Sequence, residues 1–280
     1  MPMMKRITLL LGRAMLAPLS WIPLSRCYGR IMRLRRPRFL ARRMIRRFQR
    51  HYGISMDGFR GGAEDYPSLA DFFLRPLDPA RRPLAVDDGL LLSPADGRLS
   101  GLERVSGDAA TQVKGWTYSL SGLLAEELDP AAPWLVATIY LSPRDYHRFH
   151  YPLSARITGC FHGGTRLFPV NGFSVRRVRR LYVRNERAVT RFALPKGPLY
   201  LAAVGATFVG SISLAYLEHG LPATGAWQPC DIPVRQMAEM GRFAMGSTIV
   251  LVVPAEQVGE TLVEEGAPLR VGQPLFKIRN

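Results

Sequence analysis

Cysteine is scarce in this sequence of 280 residues, which contains only Cys27, Cys160 and Cys230, with no Cys-x-x-Cys pair. An odd number of isolated cysteines argues against a disulfide framework and against a thiolate zinc site. We therefore expect a reducing compartment. Repeats and low-complexity tracts are also missing, and 47% hydrophobic with 21% charged residues excludes a disordered or fibrous chain.

Acidic residues are absent from the first fifty positions, which hold 14 of the 38 lysines and arginines. The rest of the chain holds 24 basic and 22 acidic residues, so nearly all of the net charge of +16 belongs to this N-terminal segment. Within it, residues 38–50 (RFLARRMIRRFQR) place apolar side chains on one arc of a helical wheel and arginines on the other, with only Phe39 misplaced. This pattern predicts a basic amphipathic helix that binds anionic lipid, binds nucleic acid or packs on its own domain.

A long uninterrupted apolar run is also missing. The most apolar stretch, Ile7–Ser25, is interrupted by Arg13, Pro18 and Pro23, so it lacks the 18 or more apolar residues that a membrane-spanning helix needs. We predict that residues 1–50 form an arm lying in a membrane interface; a cleaved signal or an Arg-rich targeting peptide is the alternative. Nucleic acid is not expected as a partner, because the rest of the chain is nearly neutral and has no recognisable reader motif.

The composition changes near residue 51, where the first acidic residues and a glycine-rich break appear. We therefore separate the arm, residues 1–50, from a main domain, residues 51–280. In the main domain, short apolar runs alternate with Pro and Gly, a pattern typical of strands and turns, and a helical pattern is confined mainly to Tyr118–Leu128. The sequence predicts a mainly β (α+β) fold, a compact domain resembling a β sandwich or barrel.

Several polar positions combine residue types that support nucleophilic chemistry. Asp96 lies in the turn sequence LSPADG, and Ser247 follows Gly246 at the start of the apolar run STIVLVVP. His147 and His150 lie three residues apart in SPRDYHRFHYP. Each has a structural alternative: a turn carboxylate, a turn serine, and core or surface histidines. Together they supply an orienting carboxylate, a general base and a hydroxyl nucleophile.

The histidine pair also has the spacing at which two imidazoles can share a metal ion on one helical turn. No Glu lies within this motif, however, and the nearest further donors, Cys160 and His162, belong to a separate segment. We therefore predict no metal site.

Five motifs, taken in their order and spacing, resemble those of the phosphatidylserine decarboxylases. They are LSPADG, VKGWTYSLSGLL (Val113–Leu124), SPRDYHRFHYP, TRLFPVN (Thr165–Asn171) and EMGRFAMGSTIV. The resemblance covers roughly residues 64–278. One departure is visible, since Met245 stands where the family usually has Leu. This is an apolar exchange of similar volume that leaves the chemistry intact.

The resemblance implies that the main domain is a decarboxylase that cuts itself between Gly246 and Ser247, leaving its two fragments together as a heterodimer. In this family the serine attacks the preceding carbonyl, and after β-elimination it becomes a pyruvoyl group, the covalent cofactor. The glycine permits the strained backbone that this attack requires. By resemblance, His150 is the base that takes the hydroxyl proton, and Asp96 fixes the tautomer of its imidazole.

The resemblance also implies that the mature enzyme decarboxylates phosphatidylserine to phosphatidylethanolamine, with the pyruvoyl carbonyl as the electron sink. His147 matches the family histidine used in decarboxylation and protonation, and Phe168 and Asn171 match a segment of the substrate pocket. Because a diacyl lipid exposes both chains if it is drawn into water, we expect the enzyme to act at an anionic membrane surface. The expected location is peripheral, on the cytoplasmic face of a bacterial inner membrane, and a homodimer is left open.

Three other functions fit part of the same sequence. A membrane-associated serine hydrolase would use the same Asp, His and Ser types, although no nucleophile-elbow motif is present. A lipoyl- or biotin-type carrier with Lys114 as the modified residue would explain the turn-rich C-terminus but neither the histidines nor the arm. A zinc hydrolase would bind stoichiometric metal.

Overall fold

Antiparallel strands dominate the chain beyond residue 89 in a computed structural model that describes residues 29–113, 115–206, 212–244 and 246–279. The strands are β1 (Leu90–Leu92), β2 (Gly97–Ser106), β3 (Ala109–Val113), β4 (Trp116–Ser119), β5 (Pro133–Leu141), β6 (Arg148–His150), β7 (Ala155–Gly163), β8 (Arg187–Ala193), β9 (Leu199–Gly205), β10 (Ile212–Leu214), β11 (Trp227–Val234), β12 (Glu239–Phe243), β13 (Ser247–Pro254), β14 (Val258–Thr261), β15 (Pro268–Leu269) and β16 (Pro274–Ile278). The α-helices with described bounds are α1 (Arg38–Tyr52), α2 (Leu69–Phe73), α3 (Leu120–Leu124), α4 (Gly172–Val175) and α5 (Leu181–Arg184). Single turns of 3₁₀ helix span Ala63–Asp65 and Ala255–Gln257.

The main sheet has eight strands in the order β11-β7-β8-β9-β13-β5-β2-β15, and every pairing is antiparallel. Strand β13 lies inside this sheet, between β9 and β5, and all eight of its residues are buried. A continuous β-branched and apolar run is the sequence expected for a strand that is covered on both faces. The residue that begins this strand, Ser247, is therefore held from both sides by backbone pairing.

The two faces of the main sheet pack into different hydrophobic clusters. Along β13, Ile249 and Leu251 belong to one cluster and Val250 and Val252 to the other, as the two-residue period of a strand requires. The first cluster includes residues of a three-stranded sheet, β10-β12-β6. The second includes residues of α3 and α5. This layering positions β6, which carries His150, over the face to which Ile249 points.

Helix α1 confirms the amphipathic helix predicted from residues 38–50, but its apolar face packs on the protein itself. Ala41 and Ile45 are buried, and the Phe48 ring lies 6.5 Å from that of Phe72 and 6.2 Å from that of Phe73, both in α2. Phe39, the misplaced residue of the wheel, is 71% exposed. The arginines lie on the exposed side together with Phe39 and Leu40, so the free surface of α1 is mostly charged and has apolar side chains mainly at its first turn.

The end of α1 lies close to the predicted domain boundary near residue 51. The helix stops at Tyr52, because Gly53 adopts the left-handed conformation that terminates helices. The apolar stretch Ile7–Ser25, Lys114 and Met245 lie outside the described residues. Within the described ranges, no helix is long and apolar enough to cross a membrane.

The prediction of a mainly β, α+β fold is confirmed, with a large sheet covered on both faces. The barrel alternative is wrong for the described residues, because β11 and β15 form the two edges of the main sheet and do not pair with each other. The helix predicted over Tyr118–Leu128 is shorter than expected. It spans Leu120–Leu124, since β4 continues to Ser119, whose hydroxyl caps the helix.

Candidate active site

The Gly246–Ser247 peptide joins a left-handed glycine to the first residue of a buried strand. Gly246 has φ of 51°, a conformation that favours glycine. Ser247 pairs with Leu141 of β5 and with Gly205 of β9, and it is fully buried. Its Oγ has no hydrogen-bond partner among the described residues. A buried hydroxyl without a partner carries a desolvation cost of about 1–3 kcal/mol, so it calls for a functional explanation.

His150 is held at both ring nitrogens. Nδ1 lies 2.7 Å from the carbonyl oxygen of Met237, and Nε2 lies 3.0 Å from the hydroxyl oxygen of Tyr146. Because a carbonyl can only accept, Nδ1 carries the hydrogen, and Nε2 accepts from the tyrosine. Burial lowers the pKa of His150, and the Met237 carbonyl opposes that shift. The imidazole is therefore neutral at pH 7, with its basic nitrogen engaged by Tyr146.

Asp96 lies in the turn between β1 and β2, as the sequence predicted, but its carboxylate has other partners than expected. Arg82 forms a two-point ion pair with it, with Nη1 2.8 Å from Oδ2, and the Val271 N–H donates to Oδ1 at 2.8 Å. The expected position of Asp96, at Nδ1 of His150, is occupied by the Met237 carbonyl. In this structure the tautomer is thus fixed by the backbone. Asp96 acts on His150 only through its charge, which raises the pKa of the imidazole slightly against the effect of burial.

His147 is fully buried, and only one of its two ring nitrogens has a hydrogen-bond partner among the described residues. Nδ1 lies 2.9 Å from the Asp145 carbonyl, the ring packs 4.0 Å from that of Phe73, and Nε2 has no partner within the described part of the chain. Burial lowers the pKa of His147 to about 3. The Phe243 N–H donates to the His147 carbonyl at 2.9 Å, which ties the histidine to the strand that ends three residues before Gly246.

The substrate-pocket candidates both have structural contacts. Phe168 is buried in the cluster on the second face of the main sheet, and the Asn185 side chain bonds both its N–H and its carbonyl. Asn171 caps α4 by accepting the Ser174 N–H at 3.0 Å. A substrate role for these two residues stays a prediction.

The sequence alone did not identify the residues whose hydrogen bonds position the two histidines. Arg75 is fully buried and donates to the carbonyls of Arg144 and Asp145, which fixes the loop before His147. Burial lowers the pKa of its guanidinium to about 10. No local pattern marks Arg75, because its partners lie 69 and 70 residues away in the chain. Tyr146 lies four residues before His150, within the histidine motif, but the motif alone does not show that its hydroxyl engages the imidazole. Among the described residues, no group of three or more His, Cys, Asp or Glu side chains is placed to hold a metal ion.

Comparison with known proteins gives a consistent result. The family model described as phosphatidylserine decarboxylase matches residues 69–277. A phosphatidylserine decarboxylase proenzyme of Anaeromyxobacter sp. (strain K) is 38% identical over 263 residues, covering 90% of this chain and 93% of that protein. The proenzyme of Acidovorax ebreus (strain TPSY) is 40% identical over 245 residues, or 83% and 85% of the two chains, and that of Bordetella pertussis (strain Tohama I) is 38% identical over 266 residues, or 90% and 89%. The chain belongs to the phosphatidylserine decarboxylase family.

Proposed function

We propose that this chain is a proenzyme that cleaves itself between Gly246 and Ser247 and then converts phosphatidylserine to phosphatidylethanolamine. Membership of the family and the names of its relatives support this reaction. The observation that carries the proposal is the fully buried Ser247 hydroxyl, which has no hydrogen-bond partner in the part of the chain that the structure describes and belongs to the residue directly after a left-handed glycine.

The cleavage uses groups that are already neighbours in the chain. Ser247 Oγ attacks the carbonyl carbon of Gly246, its proton leaves for a base, and the peptide C–N bond breaks as the nitrogen is protonated, which gives an ester. Loss of the Cα proton of residue 247 then eliminates the Gly246 carboxylate and separates residues 1–246 from residues 247–280. The dehydroalanine left at residue 247 tautomerises to an imine, and water replaces its nitrogen, which leaves as ammonia, to give the pyruvoyl ketone. Because nucleophile and electrophile are adjacent, an effective molarity of about 10⁵ to 10⁸ M is available in principle.

His150 is the proposed base, since its imidazole is neutral and its tautomer is fixed. Nε2 accepts a hydrogen bond from Tyr146, so the serine proton reaches it through that hydroxyl or after the hydroxyl turns away. The charge of Asp96 favours the imidazolium that results. We assign the tautomer-fixing role to the Met237 carbonyl and the electrostatic role to Asp96.

The proposed cofactor is a pyruvoyl group derived from Ser247. When formed, it supplies a ketone that takes up the substrate amine and withdraws electrons as CO₂ leaves. The residues present fit such a group, because residue 247 stays paired between β5 and β9 and faces a glycine, Gly205, across the sheet. His147 is the candidate for proton transfer at this stage, because its buried Nε2 has no hydrogen-bond partner among the described residues and can bind a new one. Phe168 and Asn171 belong to the proposed substrate pocket.

The two fragments are proposed to remain together as a heterodimer. The smaller fragment would supply β13, an interior strand of the main sheet, with all of its residues buried. Removing that strand would expose the apolar surface of two clusters at once.

The proposed location is the cytoplasmic face of a bacterial inner membrane. Support comes from the basic first fifty residues and from the exposed arginine side of α1. Since the apolar face of α1 is buried, we assign the apolar part of lipid contact to the preceding residues and the ionic part to α1.

The test is the chain length of the purified protein. Wild type should appear as two fragments on a denaturing gel, whereas Ser247→Ala should remain one chain of 31.3 kDa. Thr248→Ala is a matched control, because the Thr248 hydroxyl is equally buried and equally without a partner among the described residues, yet it does not follow a glycine. It should cleave normally. An intact and active wild-type chain would refute the proposal.

A further inference from the structure

A second pair of ionisable side chains lies at the edge of the proposed site. His162 Nε2 lies 3.3 Å from Glu186 Oε1, and His162 Nδ1 lies 3.0 Å from the Pro222 carbonyl. Both partners are hydrogen-bond acceptors, an arrangement that favours the protonated imidazole, in which both ring nitrogens donate. In agreement, the hydrogen bond with Glu186 raises the pKa of His162. The pair holds one oxygen of the Glu186 carboxylate in place.

The other oxygen of that carboxylate is not satisfied. Glu186 Oε2 is buried and has no hydrogen-bond partner in the described ranges. If the pair were only structural, both carboxylate oxygens would be expected to find donors, because a buried acceptor without one is costly. This oxygen is therefore available to a donor that the described residues do not supply.

Strand register shows where this oxygen lies. The Gly205 N–H donates to the Glu186 carbonyl at 2.9 Å, and Gly205 is the register partner of Ser247. Glu186, Gly205 and Ser247 thus form one row across three adjacent segments, and side chains in such a row point to the same face. A Cβ added to Gly205 would lie 3.7 Å from Glu186 Oε2. The row places two buried oxygens without partners, Glu186 Oε2 and Ser247 Oγ, on either side of a residue that has no side chain.

We propose that Glu186 is a specificity-determining residue that binds the ammonium group of the substrate beside residue 247, with His162 as its positioning residue. This inference rests on the proposed function, in which residue 247 reacts with an amine. An ammonium group supplies the missing donor, and a hydrogen bond between two charged groups is about twice as strong as a neutral one. Gly205 leaves the space in which the amine can meet both residues.

The first test compares Glu186→Gln with wild type on substrates that differ in charge. The variant keeps the side-chain shape and loses the charge, so it should cleave normally and convert phosphatidylserine roughly 10- to 100-fold more slowly, mainly through KM. An alkoxyamine, which is uncharged at neutral pH, should label the 247–280 fragment of both proteins at the same rate by intact mass. Inhibition by short-chain phosphatidylethanolamine should weaken by a similar factor, while inhibition by phosphatidic acid, which has no amine, should not change.

Gly205→Ala supplies a second variant with a different defect. All contacts of the added methyl group are 3.5 Å or longer, so the fold should tolerate it, yet the methyl occupies the space between Glu186 and residue 247. Phosphatidylserine conversion should fall, and adding Glu186→Gln should lower it little further, since both changes act on the same contact. If the double variant lost conversion rate by the product of the two single losses, the two residues would not share one site.

The outcomes separate this inference from the proposed function. Wild-type conversion of phosphatidylserine by Glu186→Gln, or equal loss of alkoxyamine labelling and conversion, would overturn the ammonium assignment. A Glu186→Gln chain that stays uncut would also overturn it, because the residue would then act before any substrate binds. Failure of the alkoxyamine to label the wild-type fragment would refute the proposed function itself, and the inference with it.

Discussion

The surroundings of His150 and of Ser247 differ in how completely their polar atoms are paired. Around His150, both ring nitrogens have partners, and the Asp96 carboxylate is held by Arg82 and by the Val271 N–H. Around Ser247, the hydroxyl and one oxygen of Glu186 are buried and have no hydrogen-bond partner among the described residues. The first region is a fully paired network around the proposed base, whereas the second keeps polar atoms of the proposed nucleophile and of Glu186 without partners among the described residues.

Among the described residues, no hydrogen bond joins the proposed nucleophile to the proposed base. Tyr146 occupies the basic nitrogen of His150, and the Met237 carbonyl occupies the other. The proposed cleavage would therefore need a rearrangement at the tyrosine, while the Met237 carbonyl would keep the imidazole in the same tautomer. Substitutions in the two regions should therefore have different effects on cleavage and on decarboxylation.

The largest effect is expected for His150→Ala, which removes the base from the fully paired network. This variant should accumulate as the uncut chain, because neutral serine is a poor nucleophile without a base. Asp96→Asn should slow cleavage less, since the Met237 carbonyl still fixes the tautomer. Both can be followed as the fraction cleaved against time on a gel. Normal cleavage of His150→Ala would remove His150 from the mechanism.

His147→Ala should separate cleavage from decarboxylation. The Nε2 of this imidazole has no partner among the described residues. Because the imidazole is proposed to act only after cleavage, the variant should cut itself normally. Its CO₂ release from phosphatidylserine should fall by roughly 10² to 10⁴-fold, the loss typical of a general acid or base. Fragment ratio and CO₂ release should be measured on one preparation. An uncut His147→Ala chain together with a normally cut His150→Ala chain would show that the two roles are reversed.

Acid should destabilise the precursor through His147. Its folded pKa of about 3 lies below the unfolded value near 6.5, so the unfolded state binds the extra proton and stability falls as pH falls below about 6.5. Between pH 6.5 and pH 5 this amounts to about 2 kcal/mol. Urea unfolding of the uncut Ser247→Ala chain at both pH values measures the loss, and adding His147→Gln should reduce it. Burial also lowers the pKa of His150, so that residue adds to the loss, whereas the raised pKa of His162 changes stability mainly above pH 6.5. An unchanged loss in the double variant would contradict burial of a neutral His147.

The smallest effect is expected at the surface of α1. Replacing Arg43 and Arg47 with Gln should weaken binding to anionic liposomes by no more than about 30-fold, because each basic residue near a membrane surface contributes about 1 kcal/mol. The residual binding should no longer weaken as steeply with salt. Sedimentation with liposomes measures both. As a contrast, deleting residues 1–28 should abolish most of the binding, and unchanged binding after that deletion would exclude the arm as the apolar contact.

Local sequence predicted those features that depend on neighbours in the chain. The strand after Ser247, the turn at Asp96 and the helix beginning at Arg38 are all set by short-range patterns of apolar, turn and charged residues. For α1, the sequence left open lipid binding, nucleic-acid binding and packing on its own domain. A helical wheel could not decide among them, because the packing depends on α2, which the wheel does not include.

The partners of the site residues could not be predicted in this way. Met237 lies 87 residues from His150, and Val271 lies 175 residues from Asp96, so only the fold brings them together. The role of Glu186 depends on cross-strand register, since its position beside Ser247 follows from pairing across Gly205. His162 was visible in the sequence only as a remote metal donor. Register and long-range contacts are set by the whole hydrophobic pattern, which no single motif contains.

The most direct test of the central claim is the mass of the fragment that begins at residue 247. If Ser247 becomes a pyruvoyl group, this 34-residue peptide should be lighter by one ammonia than the same peptide beginning with serine, and its N-terminus should resist Edman sequencing. Borohydride treatment should add two hydrogen atoms to it. A fragment that begins with an unmodified serine, or an active enzyme that yields no such fragment, would contradict the account.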